Sequence, residues 1–344
     1  MAAITPGWST VIVNDRELLL REWLETVLPT SPVRIAPASS DASFRRYFRV
    51  WYDDQTRIVM DAPPDKEDCR PFVAIARAMH QLGLNTPEIM AEDIEQGLLL
   101  LTDFGSRPYL PELDQRSAPR LYEDALDALA RLQVGGDPSS PLLPPYDSGL
   151  LHREMELFRE WFLERQIGLS LREDEHQVLD HSFARLADNA LEQPRVWVHR
   201  DYHSRNLMVT APNNPGVLDF QDAVVGAVTY DLVSLLRDCY IAWPRARVES
   251  WALAHRVKLR ARGMNGLDDT EQFLRWFDLM GVQRHLKATG IFARLNLRDG
   301  KPGYLQDIPR TLGYILEVAN RYPELAALRA MLVEREVDRW KPML

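Results

Sequence analysis

Asp201, Asn206 and Asp219 are the residues whose types and spacing could do chemistry together. An apolar run, Val196-Trp197-Val198, turns polar as His199-Arg200-Asp201-Tyr202-His203-Ser204-Arg205-Asn206. A second apolar run, Leu207-Met208-Val209, leads to Pro212-Asn213-Asn214-Pro215-Gly216, and Val217-Leu218-Asp219-Phe220 comes back. Two short β-rich runs around Pro, Asn and Gly predict a hairpin. With its turn near Asn213 and Asn214, Asn206 and Asp219 become near-opposite or diagonal neighbours at the open end. Asp201 lies in the loop feeding the first strand. A carboxylate, an amide and a second carboxylate on one patch suit phosphoryl transfer. That reaction needs a base to orient the attacking hydroxyl and oxygen ligands to hold Mg²⁺ on nucleotide phosphates. Asp201 would take the first role, Asn206 and Asp219 the second. The alternative is a metal cluster at His199-x-Asp201-x-His203, but the other histidines are scattered and supply no second ligand set. His199 reads as a structural histidine and His203 as a solvated one.

The order H-R-D-x-x-x-x-N and then D-F matches the protein-kinase catalytic signature, although Leu218-Asp219-Phe220-Gln221 lacks the usual glycine. The combination resembles the kinase-like small-molecule phosphotransferases (aminoglycoside, choline and homoserine kinases) more than it resembles protein kinases. Gly226-Ala227-Val228-Thr229-Tyr230-Asp231-Leu232 is similar to the G-x-x-x-Y-D-L segment of that superfamily. The resemblance implies that Asp231 opens a helix and braces the catalytic loop. It also implies an α+β, two-lobed protein-kinase-like fold of the aminoglycoside phosphotransferase type. Residues 1–104 would form a small nucleotide-binding lobe and residues 105–344 a larger helical catalytic and acceptor-binding lobe, with ATP·Mg²⁺ between them.

The chain as a whole agrees with an ordinary globular enzyme. Its 344 residues, 46% hydrophobic and 26% charged, suffice for two lobes with a sizeable core. A net charge of −9 argues against a general nucleic-acid or anionic-membrane binder. Cys69 and Cys239 are isolated, which fits a reducing cytosol without a disulfide framework. No apolar run reaches membrane-span length, and the N-terminal residues lack the basic region of a signal peptide. A cytoplasmic monomer acting on a small molecule, with no nucleic-acid or membrane partner, is expected.

The first lobe should begin with a helix capped by Asp15 that carries Leu20, Trp23, Leu24 and Val27 on one face. Small residues then precede a β-rich run, Ser39 to Trp51, as a strand–loop–strand cover over phosphates requires, although no glycine occurs there. Ser40, Ser43 and Arg46 are the nucleotide-binding candidates. Alternation puts Phe44, Arg46, Phe48 and Val50 on one face, where the arginine wants an anion, either a phosphate or a nearby carboxylate. Asp41-Ala42-Ser43-Phe44-Arg45-Arg46-Tyr47-Phe48-Arg49 and Met60-Asp61-Ala62-Pro63-Pro64-Asp65-Lys66-Glu67-Asp68-Cys69 resemble the bacterial N-acetylmuramate/N-acetylglucosamine anomeric kinases of cell-wall recycling. That resemblance implies phosphorylation of a sugar's C1 hydroxyl. The run Ile58-Val59-Met60-Asp61 departs from the general kinase pattern, having no lysine where kinases hold the α- and β-phosphates. Lys66, Arg45 or Arg46 could substitute, or the chain could be a non-catalytic nucleotide binder.

Pro71 to Leu82 reads as a helix ended by Gly83, and Ile89–Glu92 with Leu98–Thr102 as a hairpin turning at Gln96-Gly97. Leu101-Thr102-Asp103-Phe104-Gly105 spells D-F-G but precedes H-R-D. It is therefore not the metal motif; Thr102, Asp103 and Phe104 suit a hinge whose backbone meets adenine. Beyond it, helices are expected from Ser117 to Leu132, from Glu154 to Arg165 and from Glu173 to Leu191, with a Pro/Gly-rich linker at 134–149. From Gln283 to Gly303 the chain carries Arg284, His285, Lys287, Arg294, Arg298 and Lys301 against Asp299 alone. This stretch is either a solvated helix face or the lining for an anionic acceptor such as N-acetylmuramate, whose lactyl group is a carboxylate; polycationic aminoglycosides would want the opposite. Arg237, Arg284 and His285 are the acceptor-binding candidates.

Overall fold

A computed structural model describes residues 15–39 and 44–342. The chain divides into two compact units, residues 1–74 with 87–103, and residues 75–86 with 104–344.

In the first unit, helix α1 (Asp15–Val27) precedes strands β1 (Arg34–Ser39), β2 (Arg46–Tyr52) and β3 (Gln55–Asp61). Helix α2 (Arg70–Gln81) starts in this unit, and its residues from Ile75 onward group with the second. Strands β4 (Ile89–Asp93) and β5 (Leu98–Thr102) complete an antiparallel sheet of order β1-β2-β3-β5-β4. Leu20, Trp23 and Leu24, spaced for one helical face, join Leu28 and bury against Val50, Tyr52, Val59, Leu98 and Leu100 of the sheet. β5 is apolar throughout, Leu98 to Leu101, because it lies inside the sheet with both its faces covered. Gly97 turns β4 into β5 at φ +66, and a Cβ there would lie 1.9 Å from the Ala62 carbonyl oxygen, so only glycine fits. Phe44 lies ahead of β2 and is exposed, so the alternating face begins at Arg46. Ser40 and Ser43 lie outside the described residues.

The second unit is mostly helical. Its elements are α3 (Tyr109–Glu112), α4 (Ala118–Gly135), α5 (Ser148–Leu157), α6 (Glu173–Leu191), β6 (Arg195–Val198), β7 (Leu207–Met208), β8 (Gly216–Val217), β9 (Val224–Ala227), α7 (Tyr230–Leu236), α8 (Arg245–Ala261), α9 (Thr270–Leu297), α10 (Ile308–Ala319) and α11 (Ala326–Glu334). The expected helix from Glu154 is the end of α5 running into a π-helical stretch, Phe158–Gln166. The widened winding follows directly on Leu157, against which α9 presses so closely that a Cβ on Gly290 would lie 2.3 Å from the Leu157 carbonyl carbon. α9 starts with a side-chain cap, Asp269 accepting from the N–H groups of Glu271 and Gln272. It is buried along most of its length, with α5, α6, α7 and α10 packed around it. β6 pairs antiparallel with β9, and β7 with β8 in the register Leu207↔Val217. No described helix is long and apolar enough to cross a membrane.

Candidate active site

The loop after β6 is held from behind by α7. Asp231, fully buried in the first turn of that helix, accepts the backbone N–H of His199 at 2.6 Å and of Arg200 at 3.0 Å. Burial pushes its carboxyl up to about 7 against the lowering pull of those two bonds. Arg200 is thereby kept at φ +76, a left-handed conformation that L side chains adopt rarely. The far end of the loop is tied by Asp238, whose Oδ2 accepts from the Ser204 N–H at 3.0 Å and the Ser204 hydroxyl at 2.5 Å. Between these two anchors the Asp201 carbonyl accepts from the His203 N–H at 3.0 Å and from Asn206 Nδ2 at 3.0 Å, which closes the loop on itself.

The structure brings Asp201, Asn206 and Asp219 together. Asn206 Nδ2 also donates to Asp219 Oδ2 at 3.1 Å, and the Leu218 N–H donates to the Asn206 carbonyl at 2.9 Å. Asp219 is thus diagonal to Asn206 just past the β7–β8 pair, at φ +64. Gln221 Nε2 donates to its Oδ1 at 2.7 Å. Two acceptors on Asn206 Nδ2 settle the orientation of that amide and leave Oδ1 as its coordinating atom. An amide oxygen and a carboxylate form a hard, all-oxygen pair, which fits Mg²⁺ bound with nucleotide phosphates. Among the described residues no three His, Cys, Asp or Glu side chains are grouped as a metal site, so the His199-x-Asp201-x-His203 arrangement forms none. His199 is buried, its Nδ1 accepts the Asp201 N–H at 3.3 Å, and burial pushes its pKa down to about 4, so the ring is neutral. His203 is buried rather than solvated, packed edge-on against Tyr240 at 5.3 Å.

Asp201 is half-buried. Burial alone would raise its pKa, but the positive charges of Lys287, Arg284 and Arg200 outweigh that and hold the carboxyl below its ordinary range. Two of these cations, Lys287 of α9 and Arg200 of the loop, belong to a cluster around Glu154 of α5. Lys287 Nζ lies 3.1 Å from Glu154 Oε1 and donates to the Tyr230 hydroxyl at 3.0 Å. Arg200 also pairs with Glu154 Oε1, and the Tyr146 hydroxyl donates to Glu154 Oε2. One carboxylate against two cations leaves a surplus positive charge, and Asp201 is the nearby group that benefits.

The remaining candidates separate. Arg284 is buried with Nη1 toward Cys239 Sγ at 3.4 Å, and it contributes to the field at Asp201. Arg237 is occupied, its fork bonded to Glu317 at 2.9 and 2.7 Å. The His285 ring bonds the Arg237 carbonyl at 2.8 Å and packs on Tyr314 at 4.8 Å. Burial and the charge of Arg284 push its pKa down to about 3, so it offers no charge to an anion. The basic stretch 283–303 is therefore largely internal pairing at its start, where Arg284, His285 and Lys287 are buried.

In the first unit, Arg46 has found its anion in Asp61, the residue opposite it on β3. Arg46 Nε donates to Asp61 Oδ2 at 3.1 Å and Nη2 to the same oxygen, while Arg16 Nε donates to Oδ1 at 2.7 Å. Asp61 is fully buried and the Arg46 side chain is 45% exposed. Arg45 is buried 3.6 Å from Glu67, and Lys66 is exposed beside Asp65. Thr102 ends β5, its N–H bonded to the Glu88 carbonyl; Asp103 forms a fork with Arg49 at 2.6 and 2.9 Å. The Phe104 ring packs on Gly216, where a Cβ would come within 2.6 Å.

Comparison with known proteins gives one consistent picture. Residues 34–272 match the model of the phosphotransferase enzyme family. A protein of Pseudomonas putida named N-acetylmuramate/N-acetylglucosamine kinase is 49% identical over 300 residues, 87% of this chain and 88% of its own. A Pseudomonas aeruginosa protein of the same name is 47% identical over 90% of this chain and 94% of its own. Among solved structures, a choline kinase from Cryptosporidium parvum superposes with a TM-score of 0.64 at 10% identity, covering 93% of this chain and all of that one. The two-lobed, α+β kinase-like fold anticipated from the motifs is thus the observed one.

Proposed function

The chain belongs to the phosphotransferase enzyme family and is a kinase, and from that premise we propose that it transfers the γ-phosphoryl group of ATP to the anomeric C1 hydroxyl of N-acetylmuramate or N-acetylglucosamine. The observation that carries this reading is the convergence of Asp201, Asn206 and Asp219 in a chain 47–49% identical to relatives named for those two sugars. Asp201 is the base. It is ionised at neutral pH, is half-buried, and accepts the proton of a hydroxyl more acidic than an ordinary alcohol. Asn206 Oδ1 and Asp219 would hold Mg²⁺. When bound, that ion supplies neutralisation of the charge spread over the transferring phosphoryl group.

Arg46 takes the place of the absent strand lysine. Asp61 ends β3, the strand that lacks a lysine, and this buried carboxylate presents a half-exposed guanidinium from the neighbouring strand. Thr102, Asp103 and Phe104 offer hinge backbone for the adenine. The product, a sugar 1-phosphate, would feed nucleotide-sugar synthesis in the recycling of cell-wall material. The buried free thiols of Cys69 and Cys239 are compatible with a reducing cytosol, and a monomer suffices for this chemistry.

Phosphorus NMR of the purified protein with ATP·Mg²⁺ and N-acetylmuramate, N-acetylglucosamine, kanamycin or choline tests the proposal. An anomeric sugar-phosphate signal is expected, reduced at least ~100-fold in Asp201→Asn. A phosphoester on kanamycin or choline instead would discard the acceptor, and near-wild-type turnover by Asp201→Asn would discard the base.

A further inference from the structure

Arg205 belongs to the same loop as Asp201 and immediately precedes Asn206. Its guanidinium carbon lies 3.6 Å from the centroid of the Tyr240 ring and 5.5 Å from that of Tyr304. Tyr304 is itself stacked on Phe292 at 5.6 Å with 20° between the planes. The carboxylate beside it, Asp307, forms only a long ion pair with it, Oδ2 standing 4.0 Å from Nη2 and beyond hydrogen-bond distance, while Oδ1 accepts from Arg310 at 3.2 Å. Arg205 keeps 38% of its side chain exposed. A guanidinium fixed through its flat face keeps its in-plane N–H donors available, already oriented and only weakly hydrated. The platform is tied to the reaction centre, because the edge-on contact of His203 seats the Tyr240 ring two residues from Asp201.

Such a group fits an oxyanion bound by a two-pronged fork, a carboxylate or a phosphate, and of the two amino sugars only one offers such a group. N-acetylmuramate carries one in its lactyl arm and N-acetylglucosamine does not. Of the neighbouring cations, Arg237 is committed to Glu317 and Lys287 to Glu154, and Arg284 is buried at 5% exposure with Nη1 on Cys239 Sγ. We propose that Arg205, on its platform of Tyr240 and Tyr304, is the subsite that reads the acceptor's carboxylate and separates N-acetylmuramate from N-acetylglucosamine; the inference rests on the amino-sugar reading above.

Steady-state kinetics with ATP·Mg²⁺ on N-acetylmuramate, its methyl ester and N-acetylglucosamine test this with the full chain. In Arg205→Ala, kcat/KM on the acid falls roughly 10- to 100-fold relative to N-acetylglucosamine, chiefly through KM, and the preference for acid over ester disappears. Arg205→Lys, which keeps the charge and loses the fork and the stacking, loses part of that preference. Unchanged acid-to-ester and acid-to-N-acetylglucosamine ratios in Arg205→Ala overturn the subsite, and so does an equal loss on all three acceptors. A wild-type protein silent on all three removes the sugar reading itself, an outcome distinct from turnover with unaltered ratios.

Discussion

Lys287→Met removes a charge from behind Asp201, the proposed base, and fills nearly the same volume. Lys287 Nζ and Glu154 Oε1 stand 3.1 Å apart, a gross attraction of about 5 kcal/mol at an effective dielectric constant of ~20. Desolvating the ammonium offsets most of that. Glu154 keeps Arg200 and the Tyr146 hydroxyl as partners, so it is not left as a bare buried charge. The Tyr230 hydroxyl loses its bond to the amine. The net loss of stability is then about 1–3 kcal/mol, small enough for the variant to fold.

The kinetic consequence is separate. Lys287 is the foremost of the charges that hold Asp201 below its ordinary pKa range. Without it, burial is less well opposed and the carboxyl pKa rises. As the proposed base the carboxylate must be ionised to accept the acceptor's proton, so activity should be lost as pH falls through its pKa. The acid limb of the kcat/KM profile therefore moves to higher pH in Lys287→Met and returns toward its wild-type position in Lys287→Arg. Superimposable limbs in wild type and Lys287→Met would refute this electrostatic account, whatever happened to the melting temperature.

Other outcomes follow from the same geometry. Arg46→Ala should raise KM for ATP about tenfold while leaving the melting temperature within a few degrees; an unchanged KM would return the choice to Arg45 or Lys66. Asp219→Ala should lower kcat at least ~100-fold with little effect on KM for the sugar, and turnover that fails to drop would remove Asp219 from metal binding. Gly290→Ala forces α9 off the Leu157 backbone and should destabilise by about 1–3 kcal/mol despite the better helix propensity of alanine, readable by urea titration. An unchanged midpoint would mean that the helices separate freely there.

What could be read beforehand was local in the chain. Asp201, Asn206 and Asp219 lie within 19 residues, and hairpin geometry alone brings them together. Asp231 came with its own motif, and periodic stretches such as Glu173–Leu191 formed the helices expected of them. What could not be read was assembled from distant segments. Glu154, Arg200, Tyr230 and Lys287 come from four places in the chain, and no spacing rule joins them. Counting charges from Gln283 to Gly303 could not tell lining from pairing, because the partner that occupies Lys287, Glu154, lies in α5, far earlier in the chain. The π-helical Phe158–Gln166 has no amphipathic signature distinct from an α-helix. Arg205 was in plain view inside the H-R-D-x-x-x-x-N stretch; the role proposed for it follows from Tyr240 and Tyr304 beneath it, not from its position.

The grouping of residues 75–86 with the second unit bears on how such enzymes can be recombined. The first unit is not one stretch of chain but two, so a single crossover at Asp103 does not exchange it cleanly with that of a relative. A chimaera made that way imports a foreign Ile75–Thr86 into the helical unit, where Asn85 Nδ2 donates to the Thr210 hydroxyl and the Asn213 carbonyl, beside the β7–β8 hairpin. A functional exchange needs three junctions, at 74/75, 86/87 and 103/104. Grafts made with the single junction should express with a damaged helical unit, even though every residue of the catalytic motif is untouched.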